Sequence, residues 1–160
     1  MNLLAHVCLT YFFLSFFLPD ARAYLLPIAF FSIVLDLDHV SILFKITTPL
    51  SKVKPLLSDA GGVTRARLMR TALQEPIGIL LLLSILAALS LFGVQSILLF
   101  IAAFSFVLHW AIDFLTGTTF PFTPFSDFAV TPFFRTTLQK AIKEITLTAL
   151  SVFLFLAVYR

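Results

Sequence analysis

The chain has 160 residues, of which 60% are hydrophobic and only 12% are charged. A soluble domain is usually about half apolar and about a quarter charged, so this composition excludes an ordinary soluble fold. It predicts one transmembrane domain over residues 1–160. The net charge of +3 fits cytoplasmic loops and contact with membrane lipid. Because the basic residues are spread over loops, we expect no nucleic-acid binding. The single Cys8 excludes an internal disulfide.

Five apolar runs predict an all-α, polytopic membrane helix bundle, since a span needs roughly 20 apolar residues. The runs cover residues 3–18, 24–44, 76–92, 94–115 and 142–159. The first run is short, and a four-span alternative with that segment lying in the membrane interface stays open. Ala21, Arg22 and Ala23 resemble a signal-peptide cleavage site. No Lys or Arg precedes the first run, however, and signal peptides normally carry one, so a retained span is favoured.

The basic residues are distributed unequally between the two predicted faces. Five spans place the N-terminus and the 45–70 and 116–141 loops on one side, where nine of the eleven Lys and Arg residues lie. Only Arg22 and Arg160 fall on the other side. The positive-inside rule therefore predicts a cytoplasmic N-terminus and an external C-terminus. The oligomeric state is not predicted.

Ionisable side chains within apolar runs cost several kcal/mol, so each is a candidate functional residue. Seven such residues lie toward the predicted cytoplasmic face: His6, Asp36, Asp38, His39, Glu75, His109 and Asp113. His109 and Asp113 are spaced i,i+4, and Asp36 and His39 are spaced i,i+3, so each pair shares a helix face. Asp38 would point away from Asp36 and His39 on an unbroken helix. The spacing predicts a shared site at one end of the bundle.

The residue types of this set indicate a metal site. Imidazole and carboxylate together suit zinc, manganese or iron. Seven residues exceed one tetrahedral site and would suffice for two metals about 3.5–4 Å apart, an arrangement that hydrolyses phosphoesters. We expect one or two bound divalent metal ions, and the residue types favour zinc or manganese. Other readings stay open: His109 with Asp113 as a buried pair or proton relay, Asp36 as a helix cap, and Glu75 as a favourable charge in the first turn of a helix.

Residues 116–135 form a loop rich in phenylalanine and proline. Thr116-Gly117 predicts the end of a helix, and the prolines that follow forbid a regular one. The phenylalanines keep the loop against lipid or protein. The loop is either a re-entrant lid over the site or an interfacial anchor.

Two stretches resemble the YdjM-type membrane-bound metal-dependent hydrolases of bacteria and archaea. Residues 36–39, Asp-Leu-Asp-His, resemble the D-x-D-H motif of that family. Residues 109–126 resemble its later H-x3-D-x2-T and P-F-S stretch, and the early His6 also fits. The resemblance covers most of the chain from His6 to Ser126. It departs at the central H-R-G-x-T-H-S stretch, because residues 67–76 contain no histidine.

The resemblance implies a hydrolase of the prokaryotic cytoplasmic membrane that acts on an ester or phosphoester, plausibly of a lipid or amphiphile. A metal-bound water would be the nucleophile. At the departure, Glu75 could replace a histidine ligand and Arg70 could stabilise an oxyanion or phosphate. Alternatively, the site has lost a metal or its activity. Two further hypotheses stay open: a metal or proton transporter, and a structural or regulatory membrane protein with a degenerate site.

Overall fold

A computed structural model of the chain describes residues 3–37, 74–94, 96–117, 119–122, 125, 128–130 and 137–159. Within this part the fold is all-α, as predicted, with five α-helices. They are α1 Leu3–Leu14, α2 Leu25–Ile33, α3 Pro76–Leu91, α4 Ile97–Thr116 and α5 Thr137–Val158. Two 3-10 turns flank α2, at Ala21–Tyr24 and Val34–Leu37. The predicted run 24–44 is therefore not one regular helix, because α2 gives way to a 3-10 turn before Asp36.

Local sequence signals explain where α3 begins and ends and where α4 begins. Pro76 opens α3, where its fixed backbone angle suits the first helical turn. Gly93 ends that helix with φ of 87°, a left-handed conformation that glycine adopts most readily. Ser96 then caps α4, since its hydroxyl accepts a hydrogen bond of 3.1 Å from the Leu98 backbone N–H. The connection from α3 to α4 thus has a glycine just after the first helix and a capping serine just before the second.

The far end of α4 is stabilised by a lysine from α5. Lys143 Nζ donates a 2.9 Å hydrogen bond to the Thr116 carbonyl and lies 3.0 Å from Glu144 Oε1. A cation at a helix C-terminus interacts favourably with the helix dipole and with carbonyls that lack a helical partner. This contact joins α5 to the end of α4 that carries His109 and Asp113.

Helix α1 packs against α2, α4 and α5, while α2 and α3 both pack on α4. Helices α1 and α4 run antiparallel, because rising residue numbers on α1 meet falling numbers on α4. His6 near the start of α1 stacks on His109 near the end of α4. Phe17, just after α1, contacts Phe100 and Phe104 in the first half of α4. Leu14 and Ile101 belong to one apolar cluster. The N-terminal end of α1 therefore lies beside the C-terminal end of α4, which sets the position of the site.

Two apolar clusters fill the bundle. The first lies away from the histidines and comprises Tyr11, Leu14, Leu18, Ala21, Ile28 and Ile101, all at most 6% exposed. The second joins α3 and α4 to the turn after α2 and comprises Leu35, Ile79, Ala102 and Phe106. The first cluster occupies the half of the α1–α4 contact opposite to the site.

Two helical segments are long and apolar enough to cross a membrane, Ile97–Thr116 and Ala141–Val158. Helices α1 and α3 are apolar but shorter, with 12 and 16 residues. Much of the apolar surface is exposed, including Leu26, Leu91 and Phe92, each more than 80% exposed. Large exposed apolar areas are unusual on soluble monomers and typical of surfaces covered by a membrane or a partner.

Candidate metal centre

Four of the seven predicted residues converge where α1, α4 and the turn after α2 meet. His6 comes from α1, Asp36 from the Val34–Leu37 turn, and His109 and Asp113 from α4. His6 Nε2 lies 3.5 Å from Asp113 Oδ1. His109 Nε2 lies 3.5 Å from Asp36 Oδ1 and 3.9 Å from Asp113 Oδ2. One ligand atom each from His6, His109 and Asp113 lies within 4.8 Å of the others.

These separations suit a small cation. In a tetrahedral site with bonds of about 2.0–2.2 Å, neighbouring ligand atoms lie about 3.3–3.6 Å apart. The two contacts of 3.5 Å match that spacing, and they are long for a direct N–H···O hydrogen bond. The buried group formed by His6, His109 and Asp113 could therefore hold a metal ion.

The tautomer of His109 follows from its backbone contact. Its Nδ1 lies 2.9 Å from the Ser32 carbonyl oxygen. A carbonyl can only accept, so Nδ1 carries the hydrogen and donates it. In the neutral ring, Nε2 then presents a lone pair toward Asp36 and Asp113, whose carboxylates also present lone pairs. A proton or a cation must lie between them, and metal-ligating histidines usually have this arrangement of their two nitrogens.

The two imidazole rings stack face to face. Their centroids are 3.9 Å apart and their planes differ by 7°. Both side chains are about 1% exposed. Two imidazolium cations at this distance would repel strongly in a buried setting, so the stack disfavours a charge on both rings at once. Neutral imidazole is the form that binds metals.

Access to the site differs between its edges. The side chains of Asp36 and Asp113 are 13% and 10% exposed, against 1% for each histidine. Solvent or a ligand therefore reaches the site from its carboxylate edge, while the imidazoles form its buried wall.

Gln74 is a residue of the site that the sequence analysis missed. Its Nε2 donates to the Leu35 carbonyl at 2.8 Å and to Asp36 Oδ1 at 3.4 Å. The side chain is only 2% exposed. It thus fixes both the backbone before Asp36 and the carboxylate itself. The Ser32 carbonyl was not predicted either, because a backbone acceptor leaves no signal in the residue type.

Glu75 is directed to the loop after α4. Its Oε1 accepts a 2.9 Å hydrogen bond from the Phe120 backbone N–H, and the side chain is 1% exposed. The convergent group of His6, His109 and Asp113 does not include it. Its predicted roles as metal ligand and catalytic group stay predictions. Asp38, His39 and Arg70 lie outside the described residues, so their predicted roles also remain predictions.

The base of the 116–135 loop is held against the bundle. Thr119 and Val130 exchange two backbone hydrogen bonds of 2.9 Å. Thr119 and Phe120 are buried, whereas Phe122, Phe125 and Phe128 are 56–85% exposed. The loop therefore combines a buried base tied to Glu75 with exposed aromatic side chains, a pattern that suits an interfacial anchor beside the site.

A scan against protein-family models and searches of curated proteins and of solved structures found no match for this chain. The resemblance of the motifs stays an expectation, and the site rests on the geometry of its own residues.

We expect the His109→Ala and Asp113→Asn variants to lose bound metal, because the first removes an imidazole nitrogen and the second replaces a charged carboxylate with a neutral amide. Elemental analysis of protein purified in detergent without chelator measures this directly. Asp20→Asn is the matched control, since Asp20 is exposed and lies outside the site. Equal metal content in wild type, both site variants and the control would contradict the site.

We expect Gln74→Met to weaken metal binding about 10–100-fold, the usual effect of removing a hydrogen-bond partner of a ligand. Methionine keeps the volume but cannot hold Leu35 O or Asp36. Competition with a coloured chelator measures the affinity, with the exposed Gln139→Met as control. An unchanged affinity would show that Gln74 does not position Asp36.

Proposed function

We propose that the chain is a membrane-embedded, metal-dependent hydrolase that acts on an ester or phosphoester of a lipid or another amphiphile. The observation that carries the proposal is the buried, convergent set of His6, His109 and Asp113, with Asp36 beside it. His6, His109 and Asp113 would hold the ion, with Asp36 at its edge. A divalent ion in such a site supplies an activated water near neutral pH and polarises the ester oxygen.

The number of ligands supports a catalytic rather than a purely structural site. Structural zinc sites are closed by four protein ligands, whereas catalytic sites combine three with an open position. Here three residues form the compact group, and Asp36 Oδ1 lies 3.5 Å from His109 Nε2 on the more exposed edge. Asp36 can therefore accept a proton from a reacting water at the open position. The other predicted ligands Asp38, His39 and Glu75 would serve a second ion.

The surroundings support an amphiphilic substrate. The site lies at the end of α4, a helix that is long and apolar enough to cross a membrane. The exposed Phe122, Phe125 and Phe128 of the neighbouring loop suit the boundary between headgroups and acyl chains. A lipid lying against these helices would bring its ester groups to the depth of the carboxylate edge.

The apolar cluster opposite the site favours hydrolysis over transport. A transporter needs polar access from both faces. In the part of the chain that the structure describes, Leu14, Ile28 and Ile101 close the bundle beyond the histidines with no exposed side chain area. This arrangement supports a site that opens to one face only.

We expect turnover of phospholipid or a chromogenic ester in mixed micelles to depend on metal. A chelator should abolish it, added zinc or manganese should restore it, and His109→Ala should reduce it to background while Asp20→Asn does not. The measurement is product release by purified protein. Stoichiometric metal without turnover of any ester or phosphoester would instead favour a regulatory protein or a degenerate site.

We expect reporter fusions to place the N-terminus inside and the C-terminus outside. A green fluorescent tag before Met1 should fluoresce, and alkaline phosphatase after Arg160 should be active, because each reporter works on one side of the membrane. An active phosphatase at both ends would support four spans with the first segment lying in the interface.

A further inference from the structure

A pair of buried hydroxyl groups lies one helical turn beyond the stacked histidines. Thr10 lies one turn after His6 on α1, and Ser105 lies one turn before His109 on α4. Because His6 contacts His109 and the two helices run antiparallel, both hydroxyls are displaced from the histidine stack in the same direction. A turn of helix rises about 5.4 Å, so both hydroxyls lie between the metal ligands and the apolar cluster.

Both hydroxyls differ from several other helical hydroxyls among the described residues. Thr10 is 1% exposed and Ser105 is 0% exposed. Neither hydroxyl oxygen has a hydrogen-bond partner among the described residues. Other helical hydroxyls donate to a carbonyl three or four residues earlier: Ser32 to Ile28, Ser84 to Leu80, Thr148 to Glu144 and Ser151 to Thr148. A buried polar group without a partner is costly, so Thr10 and Ser105 require a ligand.

His6 presents a third such atom on the same helix face. Its Nε2 faces Asp113, and its Nδ1 is buried with no hydrogen-bond partner among the described residues. A metal-ligating histidine usually donates its second ring N–H to an acceptor, which fixes the ring and its tautomer. His109 does so to the Ser32 carbonyl, whereas no described residue does this for His6.

We propose that Thr10, Ser105 and His6 Nδ1 bind an internal water molecule, which does for His6 what the Ser32 carbonyl does for His109. The water accepts from His6 Nδ1–H and bonds both hydroxyls. Three partners match the two to four that buried waters use. The water would lie next to the proposed metal site, toward the middle of the bundle, so its effect on metal binding rests on the proposed function.

A double-mutant cycle of Thr10→Val and Ser105→Ala tests the water directly. Thermal unfolding is measured in detergent with chelator present, so that the result is independent of metal. Each single variant should lower Tm, and the double variant should lower it by clearly less than the sum, because both hydroxyls bond one water. Ser151→Ala, which removes a buried hydroxyl satisfied within its own helix, is the matched control. Single variants that raise Tm or leave it unchanged would overturn the proposal. So would a double variant whose Tm loss equals the sum of the two single losses.

Metal affinity tests the link to His6. The double variant should bind zinc about 10-fold or more weakly, as for loss of a ligand's hydrogen-bond partner, and Ser151→Ala should bind as wild type does. If the Tm changes are non-additive but the double variant binds zinc as tightly as wild type, the role assigned to the water at His6 is overturned. A wild type that binds no zinc would defeat the proposed function, while the cycle in chelator would still decide whether the water is there.

Discussion

The antiparallel contact between α1 and α4 is the constraint on which the candidate site depends. It brings His6 against His109 with their rings 3.9 Å apart, and it places Asp113, one turn along α4, 3.5 Å from His6. Residues more than 100 positions apart thus form one buried wall. Leu14 and Ile101 belong to the same apolar cluster, so packing at one end of the bundle supports the geometry of the candidate ligands at the other.

The charges of the site explain why a divalent ion suits it. With neutral imidazoles, Asp36 and Asp113 contribute two negative charges around His109 Nε2. Burying like charges together is unfavourable in a medium of low dielectric constant. A divalent cation would bring the formal charge of the four residues to zero. The same ion would stabilise the fold, since binding to the native state alone shifts the folding equilibrium.

The sequence predicted the helical class and the grouping of His6, Asp36, His109 and Asp113 at one end, because apolar runs and residue type carry that information. The extent of the second run was not predictable, since hydropathy alone does not reveal that α2 passes into a 3-10 turn at Val34. That turn is held by Gln74, a partner 39 positions from Leu35. Such a contact depends on tertiary structure, and periodicity contains no trace of it.

Glu75 illustrates a related limit. The sequence does not reveal that its Oε1 accepts a hydrogen bond from the Phe120 backbone N–H, because every residue except proline possesses that donor. Gln74 bonds the Val34–Leu37 turn that carries Asp36. Its neighbour Glu75 bonds the phenylalanine-rich loop after α4. The start of α3 is therefore the common support of both.

The two edges of the site divide the proposed chemistry between them. The carboxylates lie at the more exposed edge, where a substrate can approach. The imidazoles form the buried wall, with Thr10 and Ser105 behind them and the apolar cluster beyond. A site that is polar on one side and closed by leucine and isoleucine on the other can admit a headgroup from one face while keeping ions from passing through. This asymmetry supports the proposed hydrolysis at a membrane face over transport across the membrane.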